Sequence, residues 1–165
     1  MERQYVMILF LALGLLFVSK RACSAEESAP VSQAVRYKLA KAARTFLGLP
    51  YRWGEMSERR GADCSGLVKM IFAKLRIELP RTSRDQIQTG EEIPMDKLET
   101  GDLVFFSSGG HTPTHVGFYI GNHQFLHAEK KAGRVIITDL SQPWYAQRFL
   151  GARRVVNVPK DNGSA

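Results

Sequence analysis

The apolar residues of this 165-residue chain change their spacing once, and that change limits the folds open to it. From Ser32 to Leu47, Val35, Leu39, Ala42, Ala43 and Phe46 recur at three and four. This is a helical stripe begun by Ser32 as N-cap and stopped by Gly48 and Pro50. Cys64 to Leu75 repeats it with Leu67, Val68, Ile71, Phe72 and Leu75, and Asp63 stands where the N-cap belongs. Tyr51 to Ala62, with two glycines and five charges, reads as a loop. Arg81 to Thr89 predicts a short helix capped by Thr82 or Ser83 and closed by Gly90. Beyond Gly101 the apolar runs shorten into strands: Leu103 to Phe106, Val116 to Ile120, Gln124 to Ala128, Val135 to Thr138 and Arg153 to Val158. Trp144 to Phe149 interrupts them as a helical turn. Helices first and strands afterwards predict an α+β fold, with N-terminal helices packed on an antiparallel sheet. A chain 44% hydrophobic and 24% charged has enough apolar surface for one core without a disulfide framework.

The first 25 residues read as a signal peptide. Arg3 precedes an apolar run from Tyr5 to Val18, and Cys23 and Ala25 supply the small residues of a cleavage site. Residues 26–31 then form a linker, 32–160 the folded domain and 161–165 a flexible tail. Lipidation of Cys23 is the alternative, and only then would the chain be tethered to a membrane; Lys20, three residues earlier, is a poor fit to that signal. Either way Cys64 is left as a lone thiol in an exported protein, where an unpaired cysteine is either buried or used. Loss of residues 1–25 removes three basic and one acidic residue from 23 and 16, leaving 20 against 15, a balance of +5. That charge suits an anionic surface or polymer. The basic residues are scattered without an aromatic stripe, so no nucleic-acid partner is expected.

A cysteine in the first turn of a helix meets unpaired backbone N–H groups and the helix dipole, which predicts a thiol pKa lowered toward thiolate. Cys64 occupies such a place, with small neighbours Ser65 and Gly66. A base must come from His111, His115, His123 or His127, all in the strand region. Two hairpin registers are open. A two-residue turn at Gly121 and Asn122 puts His115 and His127 on opposite faces. A three-residue loop ending at His123 puts His115, Gly117, Tyr119, Phe125 and His127 on one face and leaves the other apolar; this register is preferred. Thiolate, imidazole base and a second polar group orienting the base are the parts of a cysteine peptidase. Zinc is the rival reading, but neither histidine pair carries the H-E-x-x-H pattern. No metal and no cofactor are expected.

Tyr51-Arg-Trp-Gly54, Gly61-Ala-Asp-Cys-Ser-Gly-Leu-Val68, Leu79-Pro-Arg-Thr-Ser83, Gly101-Asp-Leu-Val-Phe-Phe106, His115-Val-Gly-Phe-Tyr-Ile-Gly121 and Phe125-Leu-His-Ala128, in that order, resemble the NlpC-type cell-wall peptidase family from about Ala34 to Val156. The resemblance implies a papain-like single domain hydrolysing peptide-stem bonds of peptidoglycan in the periplasm of a Gram-negative bacterium, as a monomer. It matches Cys64 to the nucleophile, His115 to the base and His127 to the third polar residue. Tyr51, Asp63 and Ser65 match substrate-binding positions, with a packing aromatic and a helix cap as the plain readings of Tyr51 and Asp63. Trp53, Trp144 and Phe106 are expected in the core or groove wall, and His111 and His123 in exposed loops. Glu55 departs from the pattern, standing where many relatives have a second glycine. The bond it implies lies between γ-D-glutamate and meso-diaminopimelate; the alternatives are the D-alanine to diaminopimelate crosslink and a non-catalytic wall-binding module.

Overall fold

In the computed structural model, which describes residues 33–155, the first helical stripe forms α1 (Gln33–Arg44), continued by turns to Gly48. The signal peptide, Cys23, the linker, Ser32 as cap and the tail lie outside the described residues. The expected loop from Tyr51 to Ala62 carries a small ribbon, β1 (Met56–Ser57) paired with β2 (Gly61–Ala62). Two-residue strands are too short to leave a periodicity in sequence. Next comes α2 (Cys64–Ala73), buried nearly all round, with Lys69 reaching out to donate from Nζ to the Leu79 carbonyl at 2.7 Å. The short helix α3 (Ser83–Gln86) is capped by Thr82, whose side chain accepts from Asp85 N–H.

The remaining strands form one antiparallel sheet. They are β3 (Glu91–Ile93), β4 (Leu103–Phe106), β5 (His115–Gly121), β6 (Gln124–Glu129), β7 (Arg134–Asp139) and β8 (Phe149–Arg154), in the order β3-β8-β4-β5-β6-β7. A 3-10 turn at Met95–Lys97 and the one-turn α4 (Pro143–Ala146) lie between them. The last strand begins four residues earlier than its apolar pattern predicts. Phe149 pairs with Phe106 and Ala152 with Val104, so the helical turn ends at Ala146 rather than Phe149. The edge strand β3 escapes a hydrophobic reading because it is held by charge. Glu91 and Glu92 lie opposite Arg154 and Arg153, and Arg153 Nη1 reaches Glu92 Oε2 at 2.8 Å.

The hairpin of β5 and β6 has the preferred strand register, with Phe118 opposite Leu126 and Tyr119 opposite Phe125, but a different turn. Gly121 pairs with Gln124, and the two turn residues are Asn122 and His123, both left-handed at φ 53° and 59°. This is the primed geometry that two-residue hairpins favour. A bulge between Tyr119 and Gly121 absorbs the extra residue and keeps the faces in phase.

The sheet has a core on each side. Against α1 and α2 lie Leu103, Phe105, Val116, Phe118, Leu126 and Ala128, meeting Leu67, Val68, Ile71 and Phe72. Phe72 meets Phe118 edge-on with ring centroids 6.0 Å apart, and each such buried side chain contributes about 1.5–3 kcal/mol. On the far face Val104, Phe106, Tyr119, Phe125, Tyr145 and Ala152 form a second cluster. Asp102, fully buried, clamps β8 with Oδ1 accepting from Arg154 Nε at 2.8 Å and Oδ2 from Nη2 at 2.9 Å.

Candidate active site

Asp63 starts α2 in extended backbone, and its Oδ1 accepts the Gly66 N–H at 2.7 Å, so the predicted cap is in place. A Cβ on Gly66 would come within 2.7 Å of the Glu55 carbonyl and 2.9 Å of Asp63 Oδ1. The 51–62 loop therefore descends onto the helix start only because residue 66 is glycine. Cys64, the residue after the cap, is a free thiol exposed by only 8%. Burial pushes its pKa up, against the lowering effect of the Val116, Ser65 and Cys64 backbone N–H groups, and the negative charge of Asp63 adds to the rise. The expectation of a lowered thiol pKa is therefore corrected: loss of hydration outweighs the donors at the helix start. Two of the lowering groups stand at the start of α2, and the third belongs to the residue directly after His115.

The two predicted histidines meet. His115 Nε2 and His127 Nδ1 are 2.8 Å apart, with rings 5.0 Å between centroids and nearly perpendicular. His127 is fully buried, stacked on Phe125 at 4.5 Å and edge-on to Tyr145 at 5.4 Å. Its other nitrogen, Nε2, lies 2.9 Å from Thr138 Oγ1. Burial holds both imidazoles below their ordinary pKa, His115 at about 4, and each stays neutral near pH 7. His115 Nε2 is committed to His127, so Nδ1 is the ring nitrogen outside that contact. His111 and His123 are exposed, as expected.

Asp63 and Ser65 are built into a clamp that the sequence reading did not reach. Asp63 accepts from Arg81 Nη1 at 3.0 Å and Nη2 at 2.7 Å, from Gly54 N–H at 3.0 Å and from the Ser65 hydroxyl at 3.3 Å. Burial alone would raise the carboxyl pKa, but the Arg81 and Gly66 hydrogen bonds hold it below the usual range. Arg81 Nη1 also donates to Ser65 Oγ at 3.0 Å, and buried Gln86 donates from Nε2 to the Ser65 carbonyl at 3.0 Å. Arg81 lies within the Leu79-Pro-Arg-Thr-Ser83 block and Gln86 three residues past it, and the chemical signal was an arginine two residues ahead of a short capped helix. Tyr51 is half-buried, its hydroxyl pKa raised first by burial and then by the nearby Cys64 and Asp63 charges, so it belongs to the thiol's surroundings. Phe106 is core, whereas Trp53 stands 82% exposed and Trp144 45%, so neither tryptophan is core. Among the described residues no three His, Cys, Asp or Glu side chains converge as metal ligands, and no helix is long and apolar enough to cross a membrane.

A helix-start thiol over an antiparallel sheet, with paired imidazoles on the adjoining strands, defines a papain-like α+β domain. The NlpC/P60 family model matches residues 48–154, and the chain belongs to that family. It is 38% identical over 144 residues to the murein DD-endopeptidase MepH of Escherichia coli K12, covering 81% of this chain and 53% of MepH. It is 43% identical over 111 residues to MepS of the same strain, named a murein DD-endopeptidase and LD-carboxypeptidase, covering 67% of this chain and 57% of MepS. The chain thus spans little more than half the length of these two relatives. An NlpC/P60 family protein from Bacillus cereus superposes with a TM-score of 0.70 at 34% identity, over 74% of this chain and 40% of that one.

Proposed function

We propose that this chain is a peptidoglycan endopeptidase that hydrolyses peptide-stem bonds with Cys64 as nucleophile, His115 as general base and His127 as its orienter. The observation that carries this reading is the 2.8 Å contact of His115 Nε2 with His127 Nδ1, with the next residue, Val116, supplying a backbone N–H that lowers the Cys64 thiol pKa. The Cys64 thiol proton passes to His115 Nδ1 as the sulfur adds to the scissile carbonyl. Backbone N–H groups of Cys64 and Ser65 receive the developing oxyanion. The tetrahedral species collapses to a thioester, His115 protonates the departing amine, and water activated by the same nitrogen releases the acid and restores the thiol. Tyr51, Asp63 and Ser65 form the wall that receives the stem peptide, and a substrate ammonium at Asp63 shares the carboxylate with Arg81.

The first bond to test lies between γ-D-glutamate and meso-diaminopimelate. The names of MepH and MepS favour a second reading, the D-alanine to diaminopimelate crosslink. The mature chain works as a monomer outside the cytoplasm, in the periplasm, where the murein layer supplies its polymer.

Mass spectrometry of muropeptides after digestion identifies the bond from product masses. Cys64→Ala should abolish hydrolysis with an unchanged circular-dichroism spectrum. His115→Ala should lose about 10²- to 10⁴-fold and His127→Ala a smaller factor. Near wild-type rates in Cys64→Ala, or activity that EDTA removes and zinc restores, would overturn the thiol mechanism.

A further inference from the structure

Thr138 was not singled out by its sequence context, yet among the described residues it ends the one side-chain hydrogen-bond path leading away from His115. It sits on β7 opposite Phe125, one diagonal step from His127, is exposed by only 6%, and places Oγ1 2.9 Å from His127 Nε2. We infer that Thr138 is a positioning residue of the proposed hydrolase, the terminal hydrogen-bond acceptor that holds His127 in the tautomer the base requires. The inference rests on the assignment of His115 as base.

The hydrogens along this path can run in two directions. In one, His115 carries its hydrogen on Nε2 and donates to a lone pair on His127 Nδ1, and His127 donates from Nε2 to Thr138 Oγ1. His115 Nδ1 is then free to take the thiol proton. In the other, Thr138 donates to His127 Nε2, His127 donates from Nδ1 to His115 Nε2, and the hydrogen of His115 sits on Nδ1, where it blocks the thiol. A hydroxyl serves either direction. Catalysis admits only the first, because His115 protonated on both nitrogens must donate from Nε2 to a His127 lone pair. Thr138 is what makes that direction inexpensive. Without its oxygen, the first direction strands a buried N–H and the second strands only a lone pair, and orphaned donors are the rarer and costlier defect. A residue at 138 lacking the hydroxyl thus biases His127 toward the tautomer that disables the base. The cross-strand position also explains the choice of threonine: its branched Cβ restricts the hydroxyl to few rotamers on a strand.

The test is a steady-state comparison of Thr138→Val and Thr138→Ser on one muropeptide, with ¹⁵N NMR of the imidazoles in the full chain. The valine variant should lose about tenfold in kcat with KM within about twofold, and serine should restore most of it. In the wild type, His127 should carry its hydrogen on Nε2, moving to Nδ1 in Thr138→Val. A wild-type His127 protonated on Nδ1 overturns the inference even if the valine variant folds poorly. So does a kcat in folded Thr138→Val within about twofold of wild type. If hydrolysis depends on Cys64 and His115 but not on the hydroxyl at 138, the Thr138 assignment alone fails. If Cys64→Ala and His115→Ala remain active, the proposed mechanism and this inference both fall.

Discussion

Replacing Asp63 by asparagine separates the cap from the clamp. Asparagine caps a helix about as well as aspartate, so the 2.7 Å bond from Gly66 N–H survives the change. What is lost is the charge facing Arg81, at 2.7 and 3.0 Å, and one acceptor oxygen becomes an amide that opposes the Gly54 N–H and the guanidinium. Hydrogen bonds to a charged group contribute about 1.5–3 kcal/mol each. The Arg81 side chain is 36% exposed and recovers water when released, whereas the carboxylate is 9% exposed and does not, so one bond's worth or slightly more is the net loss. The expected destabilisation at pH 7 is about 2–3 kcal/mol, and for a domain of this size the melting temperature falls by about 10 °C. Urea titrations as a function of pH supply the decisive signature. The folded carboxyl sits below its ordinary 3.8, so its contribution is whole above that value and disappears as the pH falls through the lower folded value. The gap between wild type and Asp63→Asn should be constant from about pH 7 to 5 and should close below about pH 4. A variant within about 0.5 kcal/mol of wild type at pH 7, or a gap unaffected by acid, would refute the clamp. The kcat/KM of the same variant on defined muropeptides, well below both melting temperatures, reports whether Asp63 also serves the substrate.

Acid should also weaken the fold through the imidazoles. His115 and His127 are held below the unfolded value of 6.5, so the unfolded chain binds more protons below that pH; the urea midpoint should fall from about pH 6.5 toward pH 4, and a midpoint flat from pH 7 to 5 would contradict their burial as neutral rings. Gly117→Ala would place a Cβ 2.4 Å from Phe125 Cδ2, and that ring is pinned by Phe106 at 5.1 Å and Tyr145 at 5.0 Å. The cost should be about 1–3 kcal/mol in urea unfolding, with activity falling further because Phe125 stacks on His127.

The helix-start position of Cys64 and the facing of His115 and His127 were legible because both follow from local rules, a cap before an apolar stripe and alternation along a hairpin. The turn was misplaced by the same rules, since a bulge shifts the register by one residue and leaves no mark in apolar spacing. The raised thiol pKa was out of reach for a different reason. The Cys64 and Ser65 donors are local to α2, but the loss of water and the Val116 donor depend on segments distant in sequence being packed at the sulfur. Arg81 and Thr138 were missed likewise, because an arginine before a turn and a threonine on a strand are ordinary in sequence and acquire roles only through partners 18 and 11 residues away.

Cys64 is packed into the core between helices and sheet, while His127 is wedged into the aromatic cluster on the opposite face. The proposed nucleophile and the proposed orienter of its base thus hang from separate foundations that share one wall. A disturbance of either foundation alone shifts one reactant against the other by a fraction of an ångström before any strand separates. Heat or mild denaturant should therefore silence the proposed hydrolysis ahead of unfolding. Sequence drift in the helical layer, for its part, can retune the thiol while the imidazole pair stays where it is.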